Sequence, residues 1–207
     1  MKLFLILILT LSAYLSSQDY LDYPHPYHST ETTKGMVVSQ NYLSSDIGAE
    51  ILSKGGNAVD AAIAVGFSLT ATLPRAGNIG GGGFMLVYDK KTESIISFDF
   101  RSMSPKLATP DVYKVNGVHQ YELSEEGYKA IAVPGTVAGL IEAHEMFGTM
   151  DLADLVNPTI ELLKEGVPVT DDLYCAINDT ESLKKYPQTK KKKKKEKNIK
   201  ERERNLF

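Results

Sequence analysis

Four consecutive glycines form a segment whose backbone could come very close to a ligand or to another part of the chain. The run is Gly80–Gly83, after Pro74 and before an apolar stretch that starts at Phe84. Glycine-rich loops bind phosphate in P-loop and dinucleotide-binding proteins. A P-loop ends in Gly-Lys-Ser/Thr, which is missing here, and the dinucleotide motif would require a glycine where Met85 stands. The run is therefore interpreted as a packing turn, and nucleotide binding is disfavoured.

Arg101 stands at a position suited to binding an anionic ligand. It directly follows the apolar-rich segment Ser94–Phe100, so it would lie at the end of a strand. A guanidinium binds a carboxylate through two parallel hydrogen bonds, and a strand end is a rigid mount for it. On these residues alone, a surface ion pair at a strand end is the favoured interpretation.

Other residues with potential chemistry lack the neighbours that such chemistry needs. His25 and His28 could bind a metal, but no further ligand stands at a useful spacing, so no metal site is predicted. Cys175 is the single cysteine, which excludes an internal disulfide, and it is expected to be a half-buried helix residue. His144 falls on the apolar stripe of a predicted helix, where we expect it to pack. No cofactor is predicted.

The elements on either side of the glycine run would hold it in place. Before it, residues 58–73 are apolar nearly all round, which predicts a buried helix capped by Asn57 with Asp60 in its first turn. After it, residues 84–88 predict a buried strand that pairs with residues 94–100 in an antiparallel hairpin. Further helices are predicted from Ser44 or Ser45, after Gly135, from Asn157 and from Thr170, and short strands at residues 36–39 and 131–133.

The start of the chain is typical of an exported protein. Residues 1–18 have a charged beginning, an apolar centre and small polar residues, which is the layout of a secretory signal peptide. The apolar stretch is shorter than the ~20 residues that a membrane-spanning helix needs, so no stable membrane anchor is expected. We therefore predict export to a periplasmic or extracellular location. Residues 19–34 predict an irregular lead-in.

Charge separates an acidic body from a basic tail. Residues 184–207 carry 12 Lys and Arg against 3 Glu, a charge of +9, whereas residues 1–183 carry 11 basic and 23 acidic residues, a charge of −12. Residues 188–207 predict a disordered, low-complexity tail that includes the unbroken lysine run Lys190–Lys195. Three explanations stay open: a segment that binds polyanions, a solvated end, or a reading-frame change in an adenine tract. No nucleic-acid partner is predicted.

Four motifs in order resemble the beginning of γ-glutamyltransferases, also called γ-glutamyltranspeptidases or glutathione hydrolases. They are GGNAVDAA at 55–62, GNIGGGGFM at 77–85, DFR at 99–101 and VPGTVAG at 133–139, and the match covers about residues 35–187. The resemblance implies an α+β fold, namely the N-terminal portion of the αββα N-terminal-nucleophile hydrolase fold. Residues 35–187 would then be a partial large-subunit domain.

The resemblance also implies a chemistry. Family members are exported as proenzymes that cut themselves in two, and a threonine that begins the small subunit attacks the γ-glutamyl amide of glutathione or a related compound. The glutamyl group passes to water or to an amino acid. Arg101 matches the arginine that binds the α-carboxylate of the substrate. Since the matching threonine lies downstream in the family, we expect no catalytic residue in this chain and an inactive N-terminal fragment that needs the small subunit of its precursor.

Two alternatives stay open from the sequence. One is a non-catalytic exported binding protein that keeps Arg101 and uses its basic tail to hold acidic partners. The other is a related N-terminal-nucleophile amidase or acylase that acts on a different amide. Asn178-Asp179-Thr180 is a glycosylation acceptor pattern, which has meaning only in a eukaryotic secretory route.

Overall fold

The computed structural model describes residues 31–180 and Lys185, which fall into two units divided between Lys34 and Gly35. Of the first unit, residues 31–34 are described, and there the Lys34 N–H donates to the Thr32 hydroxyl oxygen (3.3 Å). The second unit, from Gly35 on, holds the helices and strands given below. The predicted signal peptide, residues 19–30 of the lead-in and the basic tail lie outside the described residues.

The second unit combines helices with two small antiparallel hairpins. In chain order its elements are α1 (Tyr42–Ser53), α2 (Ala58–Thr72), β1 (Phe84–Asp89), β2 (Ser94–Asp99), β3 (Lys114–Val115), β4 (Val118–His119), α3 (Glu122–Glu125), a 3₁₀ turn (Tyr128–Ala130), α4 (Thr136–Phe147), α5 (Leu152–Glu165) and α6 (Asp171–Asp179). β1 pairs with β2, and β3 pairs with β4 across the Asn116-Gly117 turn.

Helix α2 is the centre of the core. Ile63 and Ala64 are completely buried, and α1, α4 and α5 all pack against this helix. Small residues allow the close packing: a Cβ added to Gly48 of α1 would lie 2.7 Å from the Val65 side chain. A helix that is apolar all round needs apolar neighbours on every side. The prediction of a buried helix before the glycine run is confirmed.

The buried carboxylate of Asp60 joins the start of α2 to the loop between α4 and α5. It accepts hydrogen bonds from the N–H groups of Asn57 (2.9 Å), Thr149 (3.0 Å) and Met150 (3.4 Å) and from the Thr149 hydroxyl. Burial raises the pKa of the Asp60 carboxyl, but these hydrogen bonds outweigh burial and hold the pKa below its ordinary value of 3.8. The predicted cap at Asn57 is confirmed, because its side chain accepts two N–H groups of the first turn.

The β1–β2 hairpin covers the helices with one of its faces. Its register runs from Phe84 opposite Asp99 to Asp89 opposite Ser94. The inward residues Met85, Val87, Ile96 and Phe98 pack against the core. The rings of Phe98 and Phe147 of α4 meet edge to face, with their centroids 6.2 Å apart. The antiparallel pairing predicted from the sequence is confirmed.

Two predicted helix starts are wrong. Helix α1 is capped by Asn41, whose side chain accepts the Leu43 N–H (3.0 Å), and not by Ser44 or Ser45. Helix α5 begins at Leu152, so Pro158 lies inside it and not in its first turn. Proline has no N–H, so α5 loses one backbone hydrogen bond at Pro158, and the complete burial of Leu155 in the core helps to hold this helix in place.

The predicted strands at residues 36–39 and 131–133 are also wrong, and so is the expected half-burial of Cys175. Residues 36–39 are not paired in a sheet within the described part of the chain. Val133 makes an isolated antiparallel bridge with Met103 in place of a strand. A short apolar run becomes a strand only when a neighbour supplies hydrogen bonds, which sequence alone does not show. Cys175 is exposed on α6.

Candidate functional site

Backbone hydrogen bonds tie the glycine run to two elements. The Phe100 N–H donates to the Gly83 carbonyl (3.1 Å) and the Gly83 N–H donates to the Phe100 carbonyl (3.3 Å), which extends the hairpin by one residue pair. The Gly81 carbonyl accepts from the N–H groups of Gly135 (2.9 Å) and Thr136 (3.2 Å). The run therefore connects the end of β2 to the first turn of α4.

Two glycines make room for the backbone that leads into Arg101. A Cβ on Gly82 would collide with the Ser102 nitrogen and lie 2.5 Å from the Phe100 carbonyl oxygen. A Cβ on Gly135 would collide with that same oxygen. Because the obstructing atoms are backbone, no side-chain movement could relieve the overlap. The close approach requires glycine at both positions, which confirms the interpretation of the run as a packing turn.

The Phe100 ring fills the space left by a third glycine. A Cβ on Gly139, a buried residue of α4, would overlap this ring, and a Cβ on Gly83 would lie 2.9 Å from it. The ring is thus held between the glycine run and α4. Three of the four motifs singled out in the sequence meet at Phe100, directly before Arg101, so they form one structural unit.

Arg101 is exposed, and within residues 31–180 and Lys185 no carboxylate forms an ion pair with it. Its backbone N–H donates to Asp99 Oδ1 (3.0 Å) and its Nη1 donates to the Ser102 hydroxyl (2.9 Å). Arg75, the other arginine of this part, pairs with Asp172 at 2.9 Å. The surface ion pair that the residues alone favoured for Arg101 is thus absent from the described part, and most of its five N–H donors remain available to a ligand.

Two clefts of the described structure lie away from Arg101. A groove of about 730 Å³ runs between α1 and α5, and a cavity of about 530 Å³ opens beside Asn57 and Tyr88; Arg101 lines neither.

His144 Nε2 hydrogen-bonds the Met150 carbonyl (2.7 Å), which confirms its packing role. In the part of the chain that the structure covers, no group of three or more His, Cys, Asp or Glu side chains could hold a metal.

The outer face of the hairpin is apolar and open. Phe84, Leu86, Tyr88 and Ile95 are 63–73% exposed, and they alternate along the strands with the inward residues. The prediction of a buried strand at 84–88 is therefore right for one face only. An exposed apolar face of this kind is typical of a surface that contacts another layer of structure or a partner.

Comparison with known proteins agrees with the motifs. Residues 44–203 match the family model described as Gamma-glutamyltranspeptidase. The chain is similar to the glutathione hydrolase proenzyme of Bacillus subtilis strain 168, with 44% identity over 147 residues, 70% of this chain and 25% of that protein. Its structure is similar to the Helicobacter pylori γ-glutamyltranspeptidase (TM-score 0.75, 37% identity, 79% of this chain and 47% of that one). A γ-glutamyltranspeptidase from Pseudomonas nitroreducens complexed with L-DON gives a TM-score of 0.70 at 42% identity over 74% and 45% of the two chains.

The fold is therefore the α+β fold of N-terminal-nucleophile hydrolases, in the portion that these residues cover, as predicted. The chain belongs to the γ-glutamyltranspeptidase family, a family of hydrolases and acyltransferases. It spans about a quarter of the length of the curated relatives that it matches. In residues 31–180, no helix is both long and apolar enough to cross a bilayer.

Proposed function

We propose that this chain is the N-terminal part of the large subunit of an exported γ-glutamyltransferase, in which Arg101 binds the α-carboxylate of glutathione or another γ-glutamyl compound. One observation carries the proposal. The glycine motifs converge on Phe100 and fix the backbone of Arg101, whose guanidinium has no carboxylate partner among the described residues. A guanidinium held in this way can bind the α-carboxylate of a substrate, at the end of the molecule away from the γ-amide.

The proposed reaction transfers a γ-glutamyl acyl group. A hydroxyl oxygen attacks the γ-carbonyl carbon, the C–N bond breaks, and the amine leaves with a proton. Water or an amino acid then takes the acyl group from the resulting ester. By the family resemblance, the hydroxyl belongs to the threonine that begins the small subunit, with its own α-amine as general base. Arg101 contacts the substrate far from the reacting bond, so its contribution is nearly uniform binding and appears mainly in KM.

The open face of the β1–β2 hairpin supports the proposed partner. Four large apolar side chains on this face have no covering layer in the described part of the chain. In the proposed precursor, the rest of the large subunit and the small subunit supply that layer. The proenzyme names of the curated relatives agree with a precursor that is processed into subunits.

A chimera tests the role of Arg101. Residues 35–180 replace the corresponding segment of the Bacillus subtilis proenzyme, and Arg101→Gln is introduced into the chimera. The substrates are γ-glutamyl-p-nitroanilide and its α-amide, which lacks the carboxylate charge. We expect kcat/KM to fall roughly 10- to 100-fold for the first substrate, mainly through KM, since hydrogen bonds to charged groups contribute about 1.5–3 kcal/mol. The kcat/KM for the α-amide should fall little in the same variant.

Arg75→Gln is the matched control, because it removes an exposed arginine that pairs with Asp172. It should leave the kinetics of both substrates unchanged. Equal losses on both substrates in the Arg101→Gln chimera would contradict carboxylate binding. The 207-residue chain alone is expected to give no turnover above a heat-killed control, and turnover would contradict a nucleophile supplied by the small subunit.

A further inference from the structure

The groove between α1 and α5 has an apolar floor and an acidic rim. It encloses about 730 Å³. The floor is formed by Leu43, Ile47, Met150, Pro158 and Leu162, and the rim by Asp46, Glu50, Asp154, Glu161 and Glu165. Among the described residues that line the groove, Lys54 is the one basic side chain. A groove of this kind suits a ligand that offers apolar length and positive charge together.

Three carboxylates of the rim are unneutralised. Glu50 pairs with Lys54 (2.6 Å), and Glu161 pairs with Lys164 (2.7 Å). Asp46, Asp154 and Glu165 form no ion pair with any residue that the structure describes. Like charges that line one groove raise the energy of the empty site, so a cationic occupant is favoured.

The same chain carries a segment with the complementary charge. Six consecutive lysines, Lys190–Lys195, are followed by Lys197, all outside the described residues. Each lysine has a four-carbon apolar stem and a charged end, so its stem can lie along an apolar floor while its ammonium group reaches a carboxylate at the rim. We propose that Lys190–Lys197 binds in the α1–α5 groove of its own chain.

Covalent geometry allows this return of the chain. Glu165, at the end of α5, lines the groove. A five-residue linker and α6 separate it from Thr180, and together they span at most about 31 Å. The ten residues from Thr180 to Lys190 can extend over about 33–36 Å. Lys185 forms an exposed ion pair with Glu126 (2.6 Å), and pairs of this kind contribute only about 0–1 kcal/mol. Tethering also gives the lysine segment a local concentration in the millimolar range.

Zero-length carbodiimide cross-linking of the purified chain, followed by chymotryptic digestion and mass spectrometry, tests the proposal. We expect Lys190–Lys197 to cross-link mainly to Asp46, Asp154 and Glu165. The yield should fall several-fold in the triple variant Asp46→Asn, Asp154→Asn, Glu165→Gln, and also in 0.5 M NaCl, which screens the attraction. The matched control is Glu122→Gln, Glu142→Gln, Glu145→Gln, three exposed carboxylates outside the groove, and it should leave the yield unchanged.

The cross-link map of the unmodified chain is decisive even if a variant fails to fold. Cross-links spread over all exposed carboxylates would overturn the proposal. Cross-linking between two copies of the chain is detected by mixing the chain with a ¹⁵N-labelled copy. Cross-linked peptides with one labelled and one unlabelled half would show that the groove binds the lysine segment of a second copy, and this result would also overturn the proposal.

Discussion

At the scale of single residues, the glycines around Phe100 explain why the sequence motifs occur together. Gly82 and Gly135 admit the backbone of residues 100–102, and Gly139 admits the Phe100 ring. These contacts fix the position of the chain directly before Arg101. The glycine run and the beginning of α4 therefore position the backbone that leads into Arg101.

Gly82→Ala should strongly destabilise the protein, because its Cβ would collide with backbone atoms that cannot move aside. We expect a loss of about 2–4 kcal/mol in the free energy of unfolding, in the range of severe packing changes. The adjacent Gly81→Ala is the control, since its Cβ would lie 3.5 Å from the nearest atom, an ordinary contact. Urea denaturation followed by circular dichroism measures both. Similar losses in the two variants would show that the close approach at Gly82 is not the cause.

Asp60→Asn should destabilise the protein by about 2–4 kcal/mol, because the amide places a donor where the carboxylate accepts N–H and O–H groups. The exposed Asp46→Asn should change stability by less than about 0.5 kcal/mol. The pKa of Asp60 is lower in the folded state than its ordinary value of 3.8. The stability that its carboxylate contributes is therefore fully present above pH 3.8 and is lost as the pH falls through the folded-state pKa. Urea denaturation between pH 7 and pH 2.5 should show a shallower acid decline for Asp60→Asn than for the unmodified chain, and an equally steep decline would contradict the linkage.

At the scale of elements, the β1–β2 hairpin has two unlike faces. Its inner residues Phe98, Met85 and Val87 pack against the core, and the Phe98 ring meets Phe147 of α4. Its outer face is equally apolar in sequence but exposed. Alternation along a strand assigns residues to faces, yet it does not say how many faces are covered.

Val87→Ala and the neighbouring Leu86→Ala should therefore differ. Val87 faces the core, so its truncation should cost about 1–2 kcal/mol of unfolding free energy. Leu86 is 73% exposed, so its truncation should cost less than about 0.5 kcal/mol in the isolated chain. Chemical denaturation of the two variants checks this. A larger loss at Leu86 would show that another layer covers the outer face in this chain.

At the scale of the whole molecule, the described part of the chain has an apolar hairpin face that none of its own elements covers. The chain spans about a quarter of the length of its curated relatives, and four large apolar side chains of the outer hairpin face are exposed among the described residues. Exposed apolar faces and unpaired strand edges promote association between copies.

We expect the isolated chain to associate as its concentration rises, and Leu86→Ser with Ile95→Ser to reduce this association. Both side chains are more than 70% exposed, so the change removes apolar surface without disturbing the core. Sedimentation velocity measures the association of each variant, and Ser97→Thr on the same face is the control. Association through an apolar face should persist in 0.5 M NaCl, so its loss in salt would point to the charged segments instead.

The sequence by itself determined the class of this protein and its central elements. The apolar helix α2, the Asn57 cap and the β1–β2 hairpin follow from local periodicity and capping, and the four ordered motifs indicated the family. Only the tertiary structure decided where α1 and α5 begin, that Val133 forms a bridge and not a strand, and that Arg101 forms no ion pair with any carboxylate among the residues that the structure describes. These outcomes depend on contacts between residues far apart in the chain, and such contacts leave no local pattern for a sequence to display.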